Sequence, residues 1–95
     1  MMNNYNHAQE KSYNRGDEVF FWFDLDRKLH KVYDRKREKD YFRDNEIFPH
    51  IFEAAVNKLE IDEIRDLIAD LSVERELRKI ADDILVKKID EKLAE

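Results

Sequence analysis

The chain has 95 residues, with 18 Lys and Arg against 23 Asp and Glu, one Gly, one Pro and no Cys. That length holds one domain at most. The missing Cys excludes disulfides and thiolate metal sites, and no Gly-rich loop is present to cradle a nucleotide phosphate. No apolar run approaches the roughly 18 residues of a membrane helix.

Charged residues make up 43% of the chain and aromatics 12%, so it is too aromatic and too balanced in charge to stay unfolded. The high Glu, Lys, Arg and Ile content, with a single Gln, follows the compositional trend of thermophile proteins. The net charge of −5 is unevenly spread. Residues 27–43 carry eight basic and three acidic groups, while both flanks are acidic. This basic island between acidic segments is the main asymmetry of the sequence.

Residues 1–15 are polar, aperiodic and rich in Asn, and read as a disordered tail, or as an arm or strand that orders on a partner. They show no basic and apolar leader pattern, so the expected location is cytoplasmic, or the host cytoplasm for a viral protein. Residues 16–95 read as a single α+β domain.

After the turn signal Gly16-Asp17 comes Val19-Phe20-Phe21-Trp22-Phe23, a short aromatic run with strong β preference. Unbroken apolarity implies that both faces of this strand are covered. A second copy of the chain would supply the cover that so short a chain lacks.

Residues 24–36 allow two readings. In one, Asp24-Leu25-Asp26-Arg27 is a turn and Lys28–Asp34 a return strand, with Leu29 and Tyr33 on one face. In the other, Asp24 caps a helix whose stripe is Leu25, Leu29, Val32 and Tyr33. The unpaired backbone of a lone strand favours the hairpin.

Three helices follow. The first begins near Asn45, with Pro49 tolerated in its first turn, and its stripe is Phe48, Ile51, Phe52, Ala55, Val56 and Leu59. Asp62 reads as the cap of the second, striped by Ile61, Ile64, Leu67, Ile68 and Leu71. Ser72 reads as the cap of a long third helix with Leu77, Ile80, Ala81, Ile84, Leu85, Ile89 and Leu93. Its exposed face carries oppositely charged pairs such as Asp83 with Lys87.

No catalytic set emerges. Asp24, Asp26 and His30 have oxygen and nitrogen donors, but Asp is common in turns because it bonds its own backbone. His50 and Glu53 share a helix face without further ligands. Ser12 and Ser72 are the only serines, and there is no Thr. The expectation is a non-enzyme without metal or cofactor.

Two binding surfaces remain. The basic island offers Lys31, Arg35, Lys36, Arg37, Lys39 and Arg43 to phosphates, with Tyr41 as a stacking residue. Alternatively, the island docks on the acidic helices. The apolar surplus offers Val19, Phe21, Phe23, Ile84, Leu85, Ile89 and Leu93 as a homodimer interface.

The leading expectation is therefore a small interaction protein acting as a homodimer, of the accessory type found in viruses and mobile elements. Nucleic-acid binding through residues 27–43 stands second. An acidic DNA mimic that occupies a DNA-binding protein stands third, weakened because Lys and Arg interrupt the carboxylates.

Overall fold

Residues Val19–Asp24 form a strand because large β-preferring side chains alternate between two faces. Val19, Phe21 and Phe23 are buried, while Phe20, Trp22 and Asp24 are only partly covered. A computed structural model describes residues 8–12 and 18–94, and the side chains of the latter. Its elements in chain order are β1 (Ala8–Ser12), β2 (Val19–Asp24), β3 (Leu29–Asp34), β4 (Lys39–Phe42), α1 (Phe48–Asn57), α2 (Ile61–Asp70) and α3 (Arg75–Leu93). The architecture is α+β: three antiparallel strands, β2 to β4, lead into three helices, the last one long. β1 adds a fourth strand along the other edge of β2, giving the order β1-β2-β3-β4.

The segment after β2 is the hairpin, not the helix. Asp24 fixes the turn with one carboxylate oxygen, which accepts the backbone N–H groups of Asp26 and Lys28, both at 2.9 Å. Arg27 takes the positive φ of 66° that closes it.

The return strand carries a bulge. Trp22 pairs with Lys31 but Phe23 pairs with Leu29, so His30 is the extra residue. The bulge reverses the expected parity. Leu29 shares the inner face with Val32, and Tyr33 lies on the opposite face instead of beside Leu29.

Two other expectations change for the same reason, which is that sheet edges need backbone partners. The tail expected over 1–15 contains β1, whose Ala8 to Ser12 pair with Asp24 to Phe20 of the same chain. Residues 1–7 and 13–17 lie outside the described residues. The basic island contains β4, paired with β3 from Lys31↔Phe42 to Asp34↔Lys39.

The helices cover one side of the sheet. Phe21, Phe48 and Phe52 are fully buried there; Phe21 meets Phe52 edge-on at 6.0 Å, and Phe48 stacks on Phe52 at 6.4 Å. Val56, Leu59, Ile64, Leu67, Leu71, Leu77 and Ala81 complete this core. Val19, Phe21 and Phe23 belong to it and are therefore closed to a dimer interface, because the chain's own helices take the place expected of a second copy.

The helix starts differ from the expected caps. Glu60 is the N-cap of α2, its N–H bonded to the Glu63 side chain at 2.8 Å, and Asp62 lies inside the first turn. Glu74, not Ser72, precedes α3. α3 therefore has 19 residues, about 28 Å at 1.5 Å per residue.

Glu74 ties the layers together. It is buried, and its Oε2 accepts the Leu29 backbone N–H at 3.3 Å and the Arg43 guanidinium. Arg43 also donates to the Leu29 carbonyl at 3.5 Å, and its own N–H bonds the His30 carbonyl at 3.0 Å. One carboxylate thus joins the start of β3, the chain after β4 and the start of α3. Glu74→Ala leaves a buried N–H and a half-buried guanidinium unpaired, and should cost about 2 kcal/mol in urea unfolding. Glu74→Ala combined with Arg43→Ala should cost clearly less than the sum of the two single changes, since both remove the same contact.

Candidate nucleic-acid interface

The sheet face away from the helices carries aromatic and charged side chains, where the core face mixes Phe21, Phe23 and Tyr41 with aliphatics. Register sets them in two rungs. Trp22 lies beside Lys31, and Lys31 beside Phe42. Phe20 lies beside Tyr33, and Tyr33 beside Asp40.

Lys31 Nζ sits 4.9 Å from the Trp22 ring centre and 5.5 Å from that of Phe42. It also reaches Asp40 at 3.2 Å, an ion pair linking the two rungs. Phe20 and Tyr33 are 6.0 Å apart with rings tilted by 49°. His30, pushed out by the bulge, meets Phe42 edge-on at 5.6 Å.

Phe20, Trp22 and Tyr33 are half-buried and Phe42 is 44% exposed. The expectation that both faces of β2 are covered therefore holds for the helix side alone among the described residues. No aliphatic side chain of β2, β3 or β4 joins this outer face.

The eight basic side chains of the island divide into four groups. Arg35 and Lys36 are exposed at the β3–β4 turn, next to the Phe20–Tyr33 rung. Lys31 lies in the middle of the aromatic face. Arg27 and Lys28 are exposed at the β2–β3 turn, and Arg37, Lys39 and Arg43 are engaged within the fold. Arg37 binds Asp34 at 2.8 Å, although its side chain remains 65% exposed. Lys39 lies 5.1 Å from the Tyr41 ring, and Arg43 is held by Glu74.

Tyr41 is 7% exposed and pairs with Val32 on the core side, so it is no stacking residue; the alternation of β4 places Phe42 outside instead. Arg43 meets the expectation of docking on the acidic helices, through this one carboxylate. The outer-face aromatics that sequence reasoning passed over are Phe20 and Trp22. Their signal lies in strand parity, which is unreadable until the His30 bulge is located.

At one end of this face Phe20, Tyr33, Arg35 and Glu38 line a single open groove. The Asp24 carboxylate is engaged by its turn, and His50 and Glu53 stand exposed on α1. The dimer candidates of α3 also divide. Ile84 is 7% exposed and packs in the core with Leu85 against it. Ile89 is half-buried and Leu93 is 80% exposed. No described helix is long and apolar enough to cross a membrane.

No family model matches the chain, and neither a curated protein nor a solved structure does.

Asp34 holds the β3–β4 turn in place. It is buried at the end of β3, accepts the Arg37 side chain at 2.8 Å and the Arg37 backbone N–H at 3.2 Å, and lies 3.8 Å from Lys58 Nζ beyond α1. Burial pushes its carboxyl up, but the Arg37 hydrogen bonds and the Lys58 and Arg37 charges outweigh that, and the pKa falls below the ordinary 3.8. A depressed folded-state pKa gives stability that is present above the unfolded value and lost as the pH drops through the folded one. Asp34→Asn should therefore cost about 1–2 kcal/mol at neutral pH. In urea unfolding at a series of pH values, the gap between Asp34→Asn and the parent should narrow as the pH falls below the ordinary carboxylate range.

Proposed function

We propose that the protein is a non-enzymatic binding protein that takes single-stranded nucleic acid across the outer face of its sheet. The observation carrying this reading is the set of Phe20, Trp22, Tyr33 and Phe42 around Lys31, which no helix covers among the described residues, beside the exposed cations of the β3–β4 turn. Unpaired bases stack on aromatic rings at about 1–3 kcal/mol per base, whatever their identity. Arg35, Lys36 and Arg37 stand where they can follow the phosphates. A duplex hides its base faces, and a broad sheet presents no helix or narrow ribbon to its major groove. Stacking accounts for a face built of aromatics and cations; an interface between two protein copies also takes aromatics, but it is depleted of Lys and Asp, which here stand at the centre of the face as Lys31 and Asp40.

Trp22 is the single tryptophan of the chain, so the site contains its own probe. Adding an unlabelled single strand at low salt should quench its emission, and a matched duplex should do so far less. Phe20→Ala and Tyr33→Ala should each weaken single-strand binding about tenfold. The salt dependence should have a log–log slope of about −2 for three phosphate contacts, and become shallower when Arg35 and Lys36 are changed to Glu. Binding that ignores Phe20 and Tyr33, or no binding at low salt, would overturn this reading.

A second reading has its own observation. Val86 is 57% and Leu93 80% exposed at the end of α3. Ile89 and Leu93 line an open groove with Ile61, flanked by Arg65 and Lys92. This is the part of the expected homodimer interface that the core leaves uncovered. On that reading, light scattering at tens of micromolar gives the mass of a dimer, and Ile89→Glu with Leu93→Glu returns it to that of a monomer. A parent protein that is already monomeric rules it out.

A further inference from the structure

The β3–β4 turn contains one side chain that does not suit a phosphate-binding loop. Between Arg35, Lys36 and Arg37 on one side and Lys39 on the other stands Glu38. Its backbone is in the left-handed region at φ 50°, a conformation that Gly or Asn adopts at less cost. The turn closes through its N–H to the Arg35 carbonyl at 3.1 Å, a bond that Gly would make equally well. Among the described residues its carboxylate has no hydrogen bond or ion pair, although four cations lie within three residues of it. It lines the groove formed with Phe20, Tyr33 and Arg35.

We infer that this groove selects guanine, with Glu38 reading its Watson–Crick edge and Arg35 its O6 and N7 edge. The inference rests on the single-strand reading above and names the base that the site prefers. A base stacked on the Phe20–Tyr33 rung has its rim among Arg35 and Glu38. A carboxylate accepts hydrogen bonds and donates none. Guanine alone among the common bases offers two adjacent donors on that edge, N1–H and N2–H, which match the two carboxylate oxygens. Adenine and cytosine each set one amino donor beside a ring-nitrogen lone pair that faces the carboxylate. Uracil and thymine set one N–H between two carbonyl oxygens. On the adjoining edge guanine presents the O6 and N7 acceptors that an arginine fork recognises. The groove thus has the acceptor and the donor that guanine needs, mounted on an aromatic floor.

The test uses the intact protein and fluorescein-labelled ten-nucleotide uridine strands carrying at one central position G, A, C or U. One isolated G prevents guanine-run structures. All four strands should bind in an anisotropy titration, with the G strand about tenfold tighter, the discrimination expected of a good two-bond base contact. Glu38→Gln should bring the four affinities to within about twofold of one another by exchanging one acceptor oxygen for a donor. Glu38→Gly should abolish the preference as well, while raising the melting temperature because it relieves the positive φ. That second variant separates lost recognition from lost folding. Equal affinities of the parent protein for all four strands would overturn the guanine inference and leave single-strand binding standing. A preference that survives both variants would overturn the role of Glu38. Failure of every strand to bind would remove both readings together.

Discussion

A single layer of short helices can cover only one side of a sheet, and the rest of this structure follows from that constraint. The run from Val19 to Phe23 puts large side chains on both sides of β2. Val19, Phe21 and Phe23 meet α1 and its neighbours and become the core. Phe20 and Trp22 have no such layer among the described residues and are covered only in part, by Tyr33, Lys31 and each other's surroundings on the same face. Burying an aromatic side chain is among the larger favourable contributions available to a small protein. A face that keeps several of them accessible gives up that stabilisation, which is why the outer face, and not the core, is the place to look for binding.

Charge pairing then decides which cations of the basic island remain available. Local carboxylates engage several of them: Asp34 holds Arg37, Asp40 holds Lys31, and Glu74 reaches across the fold to Arg43. The last contact is structural, because it satisfies the first backbone N–H of β3 and fixes the start of α3 at the same time. Arg35 and Lys36 are left at the tip of the β3–β4 turn, beside the aromatic rung, and Arg27 and Lys28 at the β2–β3 turn. A segment with eight basic and three acidic groups therefore presents a smaller field than its composition suggests.

The helices were legible because their apolar residues recur at helical spacing and most of those positions are buried: Phe48, Phe52, Val56, Ile64, Leu67, Leu77 and Ala81. Their ends were less so. Asp62 and Ser72 have the right residue type for caps, but Glu60 and Glu74 take the positions. Glu74 is chosen by a partner that is 31 residues away, which no local pattern reveals. The hairpin was legible from the need of β2 for a backbone partner. Its facing was not, since one extra residue at His30 reverses the parity of everything that follows in β3. β4 was concealed by its own composition: Lys39-Asp40-Tyr41-Phe42 has two charged residues and only Tyr41 buried. Reading residues 27–43 as a continuous basic run therefore placed Tyr41 and Arg43 in the candidate surface, and left out Phe20 and Trp22.

Accessible aromatics on a sheet invite stacking between copies, and Lys31 bears on how this face avoids it. Its ammonium lies between Trp22 and Phe42, bonded to Asp40, with its side chain only 20% exposed. A second sheet laid flat on this face would have to bury that ion pair, and the desolvation would offset much of the apolar gain. A charge placed inside a sheet face and charged residues along an edge strand, as in Lys39 and Asp40, are the usual protections against such contacts. A nucleic-acid strand meets no comparable obstacle. On the proposed reading its bases lie on the rings while its phosphates remain in solvent near the β3–β4 turn. The Lys31–Asp40 pair thus helps to keep a second sheet off the aromatic face.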